Sequence, residues 1–185
     1  AEFRTANGRI VNEGHGIQPD VKIEPEMLST ITAHLYAQNM IFKYANKFYR
    51  EHKTIASPDK FEITDEIYND FVKFVESQDF KYTSESEKDF EELVKTAKTE
   101  GYYDNIKEQL DLLEEELKSH KDNDLVNNKK EISDILKMEI VSRYYFQKGR
   151  IISALNDDPE LKRAVEILLN SNGKNEYETI LKGTN

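Results

Sequence analysis

The longest apolar pattern in the chain extends from about Lys129 to Asn156. Its apolar residues recur at steps of three and four, which places them on one face of an α-helix. These residues are Ile132, Ile135, Leu136, Ile140, Val141, Tyr144, Tyr145, Ile151, Ile152 and Leu155. No proline interrupts the run, and its one glycine is Gly149. The pattern therefore predicts a helix roughly 40 Å long, against which shorter helices can bury their apolar faces.

Shorter segments with the same periodicity lie on either side of this long helix. Pro25 suits the start of the first, and Ser84 with Glu87 forms a capping-box pattern at the start of another. Gly101 is a favourable residue just past a helix end. The predicted helices cover Glu26 to His52, Thr64 or Asp65 through Val75, Ser84 to Gly101, Tyr102 to His120, and Pro159 through Leu168, with a last turn at Glu176 to Leu181. The first has Leu28, Ile31, Leu35, Phe42, Ala45, Phe48 and Tyr49 on one side, an apolar face that needs a partner.

The first 25 residues have a different pattern. Two short β-capable runs, Phe3–Thr5 and Arg9–Val11, flank Asn7-Gly8, which suits a two-residue hairpin turn. Pro19-Asp20 then predicts a turn before an extended segment at Val21–Ile23. A lone hairpin is marginal in water, so we expect this arm to belong to a larger sheet. The expected fold is thus mainly α, an irregular bundle of five or six helices around one long helix, with a short β-like N-terminal arm.

Composition narrows the classes of function. The 185 residues carry a net charge of −10, which disfavours binding to nucleic acid or anionic lipid. The chain has no cysteine, which excludes disulfides, thiol catalysis and Cys-ligated zinc. It also lacks any stretch of about 18 apolar residues, so no membrane span is predicted.

Candidate chemistry within the chain is sparse. The four histidines are His15, His34, His52 and His120. No two of them have the i, i+4 spacing that places two ligands on one helix face, so no metal site and no cofactor are expected. Ser133 and Lys137 do have that spacing, but a serine within a helix has no free backbone donors nearby for an oxyanion. We therefore expect no catalytic residue in this chain.

Consecutive aromatic residues offer a candidate interface. Tyr144, Tyr145 and Phe146 cannot all face one side of a helix, so at least one meets a neighbouring helix or another chain. Tyr102 and Tyr103 form a second aromatic pair. Core packing is the first interpretation of both groups, and an interface, where aromatic residues are enriched, is the alternative.

Two segments of the arm carry a family resemblance. Thr5-Ala6-Asn7-Gly8-Arg9, followed by Gly16-Ile17-Gln18-Pro19-Asp20-Val21, resembles the end of the peptidase core in C-terminal processing (tail-specific) serine peptidases. That family has a Thr-Pro-x-Gly-Arg segment followed by Gly-Ile-x-Pro-Asp-Val at this spacing. The matching residues are Thr5, Gly8, Arg9, Gly16, Ile17, Pro19, Asp20 and Val21, whereas Ala6 replaces the usual proline. The helical remainder is similar to the C-terminal extension of some envelope members, especially over 140–145 and 147–150.

The resemblance implies a division of the chain and an enzymatic parent. Residues 1–25 would be the last segment of the peptidase core, and residues 26–185 a C-terminal helical domain. The family uses a serine activated by a lysine general base, and both precede the Gly-Ile-x-Pro-Asp segment. The resemblance therefore implies that this dyad and a PDZ domain lie upstream of Ala1, and that the chain alone is inactive. The parent would be a serine endopeptidase of the bacterial cell envelope, in the periplasm, that cleaves envelope proteins near their C-termini.

Several roles stay open for the helical domain. It would serve oligomer assembly, as a homodimer, or substrate handling, by binding unfolded protein or peptide substrates. A stand-alone helical adaptor for protein–protein interaction is the alternative without an enzymatic parent. The absence of an initiating methionine and the presence of Gly16-Ile17-Gln18-Pro19-Asp20 count against that alternative.

Overall fold

The computed structural model of the protein describes residues 2–6, 10–14, 19–25, 27–169 and 171–182. The predicted mainly α fold with a short β arm is confirmed. Within these ranges, two strands and nine helices follow one another along the chain. They are β1 (Glu2–Arg4), β2 (Ile10–Asn12), α1 (Thr30–Ala37), α2 (Met40–Glu51), α3 (Asp65–Ser77), α4 (Glu85–Glu100), α5 (Tyr103–Asp122), α6 (Asp124–Asn127), α7 (Lys129–Ala154), α8 (Pro159–Leu169) and α9 (Ser171–Lys182).

Contacts between residues divide the chain into two compact units. The larger unit is Met27–Ser153, and the smaller one combines Ala1–Glu26 with Ala154–Asn185. The division after residue 25 that the resemblance implies stays a prediction.

In the smaller unit, the predicted hairpin strands are confirmed. Strands β1 and β2 are antiparallel, and Phe3 lies opposite Val11. The predicted Asn7-Gly8 turn between them lies outside the described residues. Helices α8 and α9 pack on each other, and Ile167 is their one buried apolar side chain among the described residues.

The core of the larger unit lies between α1, α2, α3 and the first half of α7. Apolar residues at helical spacing on each of these elements point inward, as the amphipathic patterns predict. The buried cluster comprises Ile31, Leu35, Met40, Ile41, Tyr44, Ala45, Phe48, Phe61, Tyr68, Phe71, Val75, Ile132, Leu136, Ile140 and Val141. Helix α7 is therefore the central element, as expected.

The predicted single helix from Glu26 to His52 is wrong, because the structure divides it into α1 and α2. Asn39 adopts the left-handed conformation with φ 61°, which asparagine tolerates better than most residues. Beside it, the Gln38 side-chain amide donates to the Lys81 carbonyl at 2.8 Å. Helix α1 also begins later than predicted. Its N-cap is Ser29, whose backbone N–H donates to the Glu131 carboxylate on α7 at 2.9 Å.

Helix α7 has the predicted extent but is bent. Phe146 has φ 56° and ψ −157°, which lie outside the helical region, and its side chain is 77% exposed. At Gly149, an added Cβ would lie 2.2 Å from the Tyr145 Cβ and 3.2 Å from Val141 Cγ1. Glycine is therefore required for the close approach of the chain after the bend. Beyond the bend, Ile151 is exposed, although the periodicity predicted it on the buried face.

Candidate functional site

An exposed aromatic face lies on α2 and α7, and consists of Phe42, Tyr49, Arg143 and Tyr144. Phe42 and Tyr49 are seven residues apart, two turns along the same side of α2, and are 52% and 49% exposed. The Arg143 guanidinium carbon lies 4.7 Å from the centroid of the Phe42 ring, in a cation–π arrangement. The Tyr49 and Tyr144 rings meet edge-on, with centroids 4.8 Å apart.

The core packing of α2 fixes the orientation of this aromatic face. Ile41, Tyr44 and Phe48 are buried at the three-to-four-residue spacing of one helix side. Phe42 and Tyr49 follow Ile41 and Phe48 by one position, so they point away from that side. The Tyr144 hydroxyl donates to the His52 carbonyl at 2.6 Å, which fixes its ring against the end of α2. Burial, and then the neighbouring Tyr49 hydroxyl, raises the pKa of Tyr144, so its hydroxyl stays protonated as a donor.

Arg143 is tightly held but incompletely hydrogen-bonded. Its Nε donates to Asn46 Oδ1 at 2.8 Å, which links α7 to α2. Its Nη1 donates to Ser142 Oγ at 2.9 Å and lies 2.8 Å from Glu139 Oε1. Its Nη2 is enclosed and has no hydrogen-bond partner among the described residues. An enclosed unpaired donor costs about 1–3 kcal/mol, which the other contacts of Arg143 must offset.

The predicted interface residues Tyr144, Tyr145 and Phe146 lie at the end of the aromatic face. Tyr144 is half-buried, as its contact with Tyr49 requires. Tyr145 is partly exposed, and its hydroxyl donates to the Ile55 carbonyl at 3.3 Å. Phe146 at the bend points into solvent. The interface role of these residues stays a prediction.

Tyr102 and Tyr103, the other predicted interface residues, lie elsewhere, at the turn between α4 and α5. The Lys98 ammonium lies over the Tyr103 ring, 4.8 Å from its centroid. Among the described residues, no ring contact joins this pair to the aromatic residues of α7. The structure therefore does not bring the two predicted groups together.

Phe42, Tyr49 and Arg143 are the members of the aromatic face that the sequence pattern did not predict. The pattern placed Phe42 and Tyr49 on the apolar side that needs a partner within the domain, and that placement is wrong. The usable signal was the adjacency of Ile41 to Phe42 and of Phe48 to Tyr49, because neighbouring helix residues lie about 100° apart and only one of each pair can point at the centre of the core face. Arg143 had no comparable local signal.

A second surface lies within the smaller unit, where residues 19–24 and helices α8 and α9 line a cleft of about 840 Å³. This volume is in the range of small-ligand and peptide sites. The apolar part of its lining comprises Pro19, Val21, Ile23, Ala164, Ile167, Leu168, Tyr177 and Ile180. Arg163 at its edge donates to Glu176, which ties α8 to α9.

The resemblance residues are only partly described. Thr5, Pro19 and Asp20 are exposed, and Val21 is half-buried in the lining of the cleft. The others, Gly8, Arg9, Gly16 and Ile17, lie outside the described residues.

The structure also places the weaker chemical candidates. The Lys137 ammonium lies 2.8 Å from Glu62 Oε1 in an ion pair. Its neighbour along the helix face, Ser133, is half-buried. Over the described ranges, no group of three or more histidines and carboxylates is placed to hold a metal ion. In the same ranges, no helix is both long and apolar enough to cross a bilayer.

The fold and these two surfaces define a helical domain with exposed aromatic and apolar faces. Residues 31–168 match the family described as the C-terminal helical domain of a probable PDZ-protease, and the chain belongs to that family. The family description implies a parent chain with a protease and a PDZ domain. Neither the curated proteins nor the solved structures include a significant match to the chain.

Proposed function

We propose that the parent protein is a carboxy-terminal processing serine endopeptidase of the bacterial periplasm, with a Ser/Lys dyad outside residues 1–185. The family match supports a protease parent. The Thr5 to Val21 segment, which resembles the end of that peptidase core, supports the serine-type assignment. An active-site serine reagent should label the full-length parent and leave residues 1–185 unlabelled. Labelling within these residues would contradict the proposal.

Within this parent, the helical domain joins two copies through the aromatic face. The observation that carries this role is the half-exposure of Phe42 and Tyr49 beside Arg143. Aromatic residues and arginine are the residue types that contribute most to protein–protein binding energy. A ring that is half-exposed gains about 1 kcal/mol when a partner covers the rest. In a two-fold dimer every substitution acts twice, once in each copy.

The orphan donor of Arg143 also supports a contact at the aromatic face. The Phe42 ring covers the guanidinium, and the enclosed Nη2 has no acceptor in the part of the chain that the structure describes. A partner that covers the Phe42 ring would place carbonyl or carboxylate oxygens beside the guanidinium, where a small shift of the Arg143 side chain would pair this donor. Binding would then recover the free energy that the unpaired donor costs the isolated domain.

Light scattering over a range of protein concentrations tests the assembly role. The unchanged chain should be a dimer that dissociates on dilution, and Phe42→Glu with Tyr49→Glu should make it monomeric at every concentration. Tyr36→Glu is the matched control, because Tyr36 is an exposed aromatic residue on α1 outside the aromatic face. A monomer in the unchanged chain, or equal disruption by the control, would refute the role.

Substrate handling is the second candidate function, and the apolar cleft of the smaller unit favours it. Unfolded segments present apolar side chains that a cleft of this size can accept. Leu168 lines the cleft and its neighbour Leu169 does not, although both are exposed. Leu168→Asp should therefore abolish binding of a fluorescent unfolded polypeptide with an apolar C-terminus, and Leu169→Asp should not. Equal binding by both variants would exclude the cleft as the binding site.

A further inference from the structure

The α4–α5 hairpin consists of two long helices with little apolar contact between them. Helix α4 begins with the confirmed Ser84–Glu87 capping box and ends at Gly101, whose φ of 81° reverses the chain into α5. Of the described residues in the two helices, only Ala97 and Leu110 are buried apolar side chains. At 1.5 Å per residue, the 16 and 20 residues give helices of about 24 and 30 Å. Much of the apolar side of both helices is therefore left uncovered.

A groove of about 440 Å³ follows the contact line between the two helices. Its apolar lining comprises Phe90, Val94, Tyr103, Leu110 and Leu117. Helix α5 places Ile106, Leu110, Leu113 and Leu117 at alternating steps of four and three, and Leu110 and Leu117 line the groove. This heptad spacing is typical of helices that pack along one another with interlocking side chains. The groove therefore suits a third helix whose apolar residues follow the same spacing.

The hairpin also carries most of the net negative charge of the chain. Residues 85–122 contain 13 acidic and six basic residues, a net charge of −7 out of −10 for the whole chain. Four carboxylates line the groove, and lysines pair with Glu87 and Glu114. The other two, Glu91 and Asp111, have no ion-pair partner among the described residues. Lys98 and Lys118 also line the groove, so four carboxylates and two ammonium groups give its lining a net charge of −2. An apolar floor with this negative charge favours an occupant that is apolar on one side and basic along its flanks.

We propose that the α4–α5 hairpin binds a basic amphipathic helix of a partner protein, seated in the groove between α4 and α5. A second copy of the hairpin is a poor occupant, because it would bring another net charge of −7 against the first. Nucleic acid and anionic lipid are repelled for the same reason. The site is separate from the aromatic face, so its failure would leave the assembly role standing.

Titration of the whole chain against a synthetic leucine–lysine peptide tests this docking site. The probe has three heptads with leucine at the a and d positions, carries a fluorophore, and is followed by fluorescence anisotropy. Glu91→Lys with Asp111→Lys should weaken binding by about tenfold or more, because the groove then repels the peptide. Glu115→Lys with Glu116→Lys makes the same change in net charge on exposed positions of α5 outside the groove lining. This control should weaken binding by less than about threefold, because both side chains are exposed outside the groove lining and solvent screens their charges.

Three outcomes would overturn the docking site. Equal losses in the groove variant and the control variant would show attraction to diffuse charge rather than to the groove. Equal binding of a peptide with every lysine changed to glutamate would exclude charge recognition. Absence of saturable one-to-one binding would exclude a defined binding site in the groove. Both protein variants alter exposed side chains, and unchanged circular dichroism will show that they fold.

Discussion

At the bend in α7, substitution by glycine should affect the free energy of unfolding in the opposite direction from the same substitution at an ordinary helix position. Phe146 has φ 56° and ψ −157°, a combination that residues with a side chain rarely adopt. Glycine adopts positive φ without a steric penalty. We therefore expect Phe146→Gly to leave the free energy of unfolding unchanged or to raise it.

Three contributions set the magnitude. Relief of the backbone strain at residue 146 raises the free energy of unfolding by about 1–3 kcal/mol. The greater freedom of glycine in the unfolded chain costs about 0.5–1 kcal/mol. The Phe146 side chain is 77% exposed, so losing its remaining contacts costs about 0.5 kcal/mol of the roughly 1.5–3 that full burial provides. The net result lies between a loss of about 0.5 and a gain of about 2 kcal/mol, and the middle of this range is a gain.

Urea unfolding followed by far-ultraviolet circular dichroism measures this difference. Gln147→Gly is the matched control, since Gln147 is exposed, helical and adjacent to the bend. Because residue 147 has no backbone strain to relieve, Gln147→Gly should lower the free energy of unfolding by about 1 kcal/mol. The free energies of unfolding of the two variants should therefore differ by about 2 kcal/mol. Gly149→Ala should destabilise by about 1–3 kcal/mol, because its Cβ would overlap that of Tyr145. Equal destabilisation by Phe146→Gly and Gln147→Gly would refute the reasoning.

Two further predictions concern charged pairs in the larger unit. Lys137 is 4% exposed and pairs with the largely exposed Glu62. Glu62→Gln leaves the buried ammonium unpaired and should lower the free energy of unfolding by about 1–2 kcal/mol. Lys137→Met removes the buried charge and should change the free energy of unfolding by less than about 1 kcal/mol. Urea titrations of both variants check this, and an equal loss would contradict it. The hydrogen bond from Lys47 lowers the pKa of Asp70 despite partial burial. The ion pair therefore stabilises the fold at pH values above the ordinary aspartate pKa of about 3.9. This stabilisation is lost as the pH falls through the pKa of Asp70 in the folded state. Asp70→Asn should therefore lower stability by less than about 1 kcal/mol at neutral pH, since the carboxylate is half-exposed, and unfolding titrations should show the difference from the unchanged chain vanishing in acid.

Local signals predicted the helix ends that depend on local chemistry. The Ser84–Glu87 capping box forms as predicted, with Glu87 N donating to Ser84 Oγ at 3.1 Å and Ser84 N donating to Glu87 Oε2 at 2.7 Å. Gly101 ends α4 in the left-handed conformation. Both groups of contacts join residues that are close in sequence, so the sequence pattern alone is enough to predict these helix ends.

The break between α1 and α2 depends on distant residues and was missed for that reason. Asn39 alone is a weak breaker, and no glycine or proline marks the position. The structure adds a hydrogen bond from Gln38 to Lys81 and a bond from the Ser29 N–H to Glu131. Neither partner can be identified from helix periodicity. The same limit applies to the aromatic face, since Asn46 and Arg143 meet only after α2 and α7 pack.

The distribution of burial along α7 connects its bend to the candidate surfaces. Before the bend, Ile132, Leu136 and Ile140 are fully buried in the core, and this part of the helix contributes most to its anchoring. From Phe146 onward, Ile151 is exposed, and the helix buries little apolar surface before it ends. Segments with little burial open at a lower free-energy cost than core segments. The apolar buried face of α7 therefore ends near the bend, where Phe146 points into solvent. Because Phe146 is strained and points into solvent, we expect a Phe146→Gly variant to be stabilised and still to form the proposed dimer, which would separate the backbone strain from the contact itself.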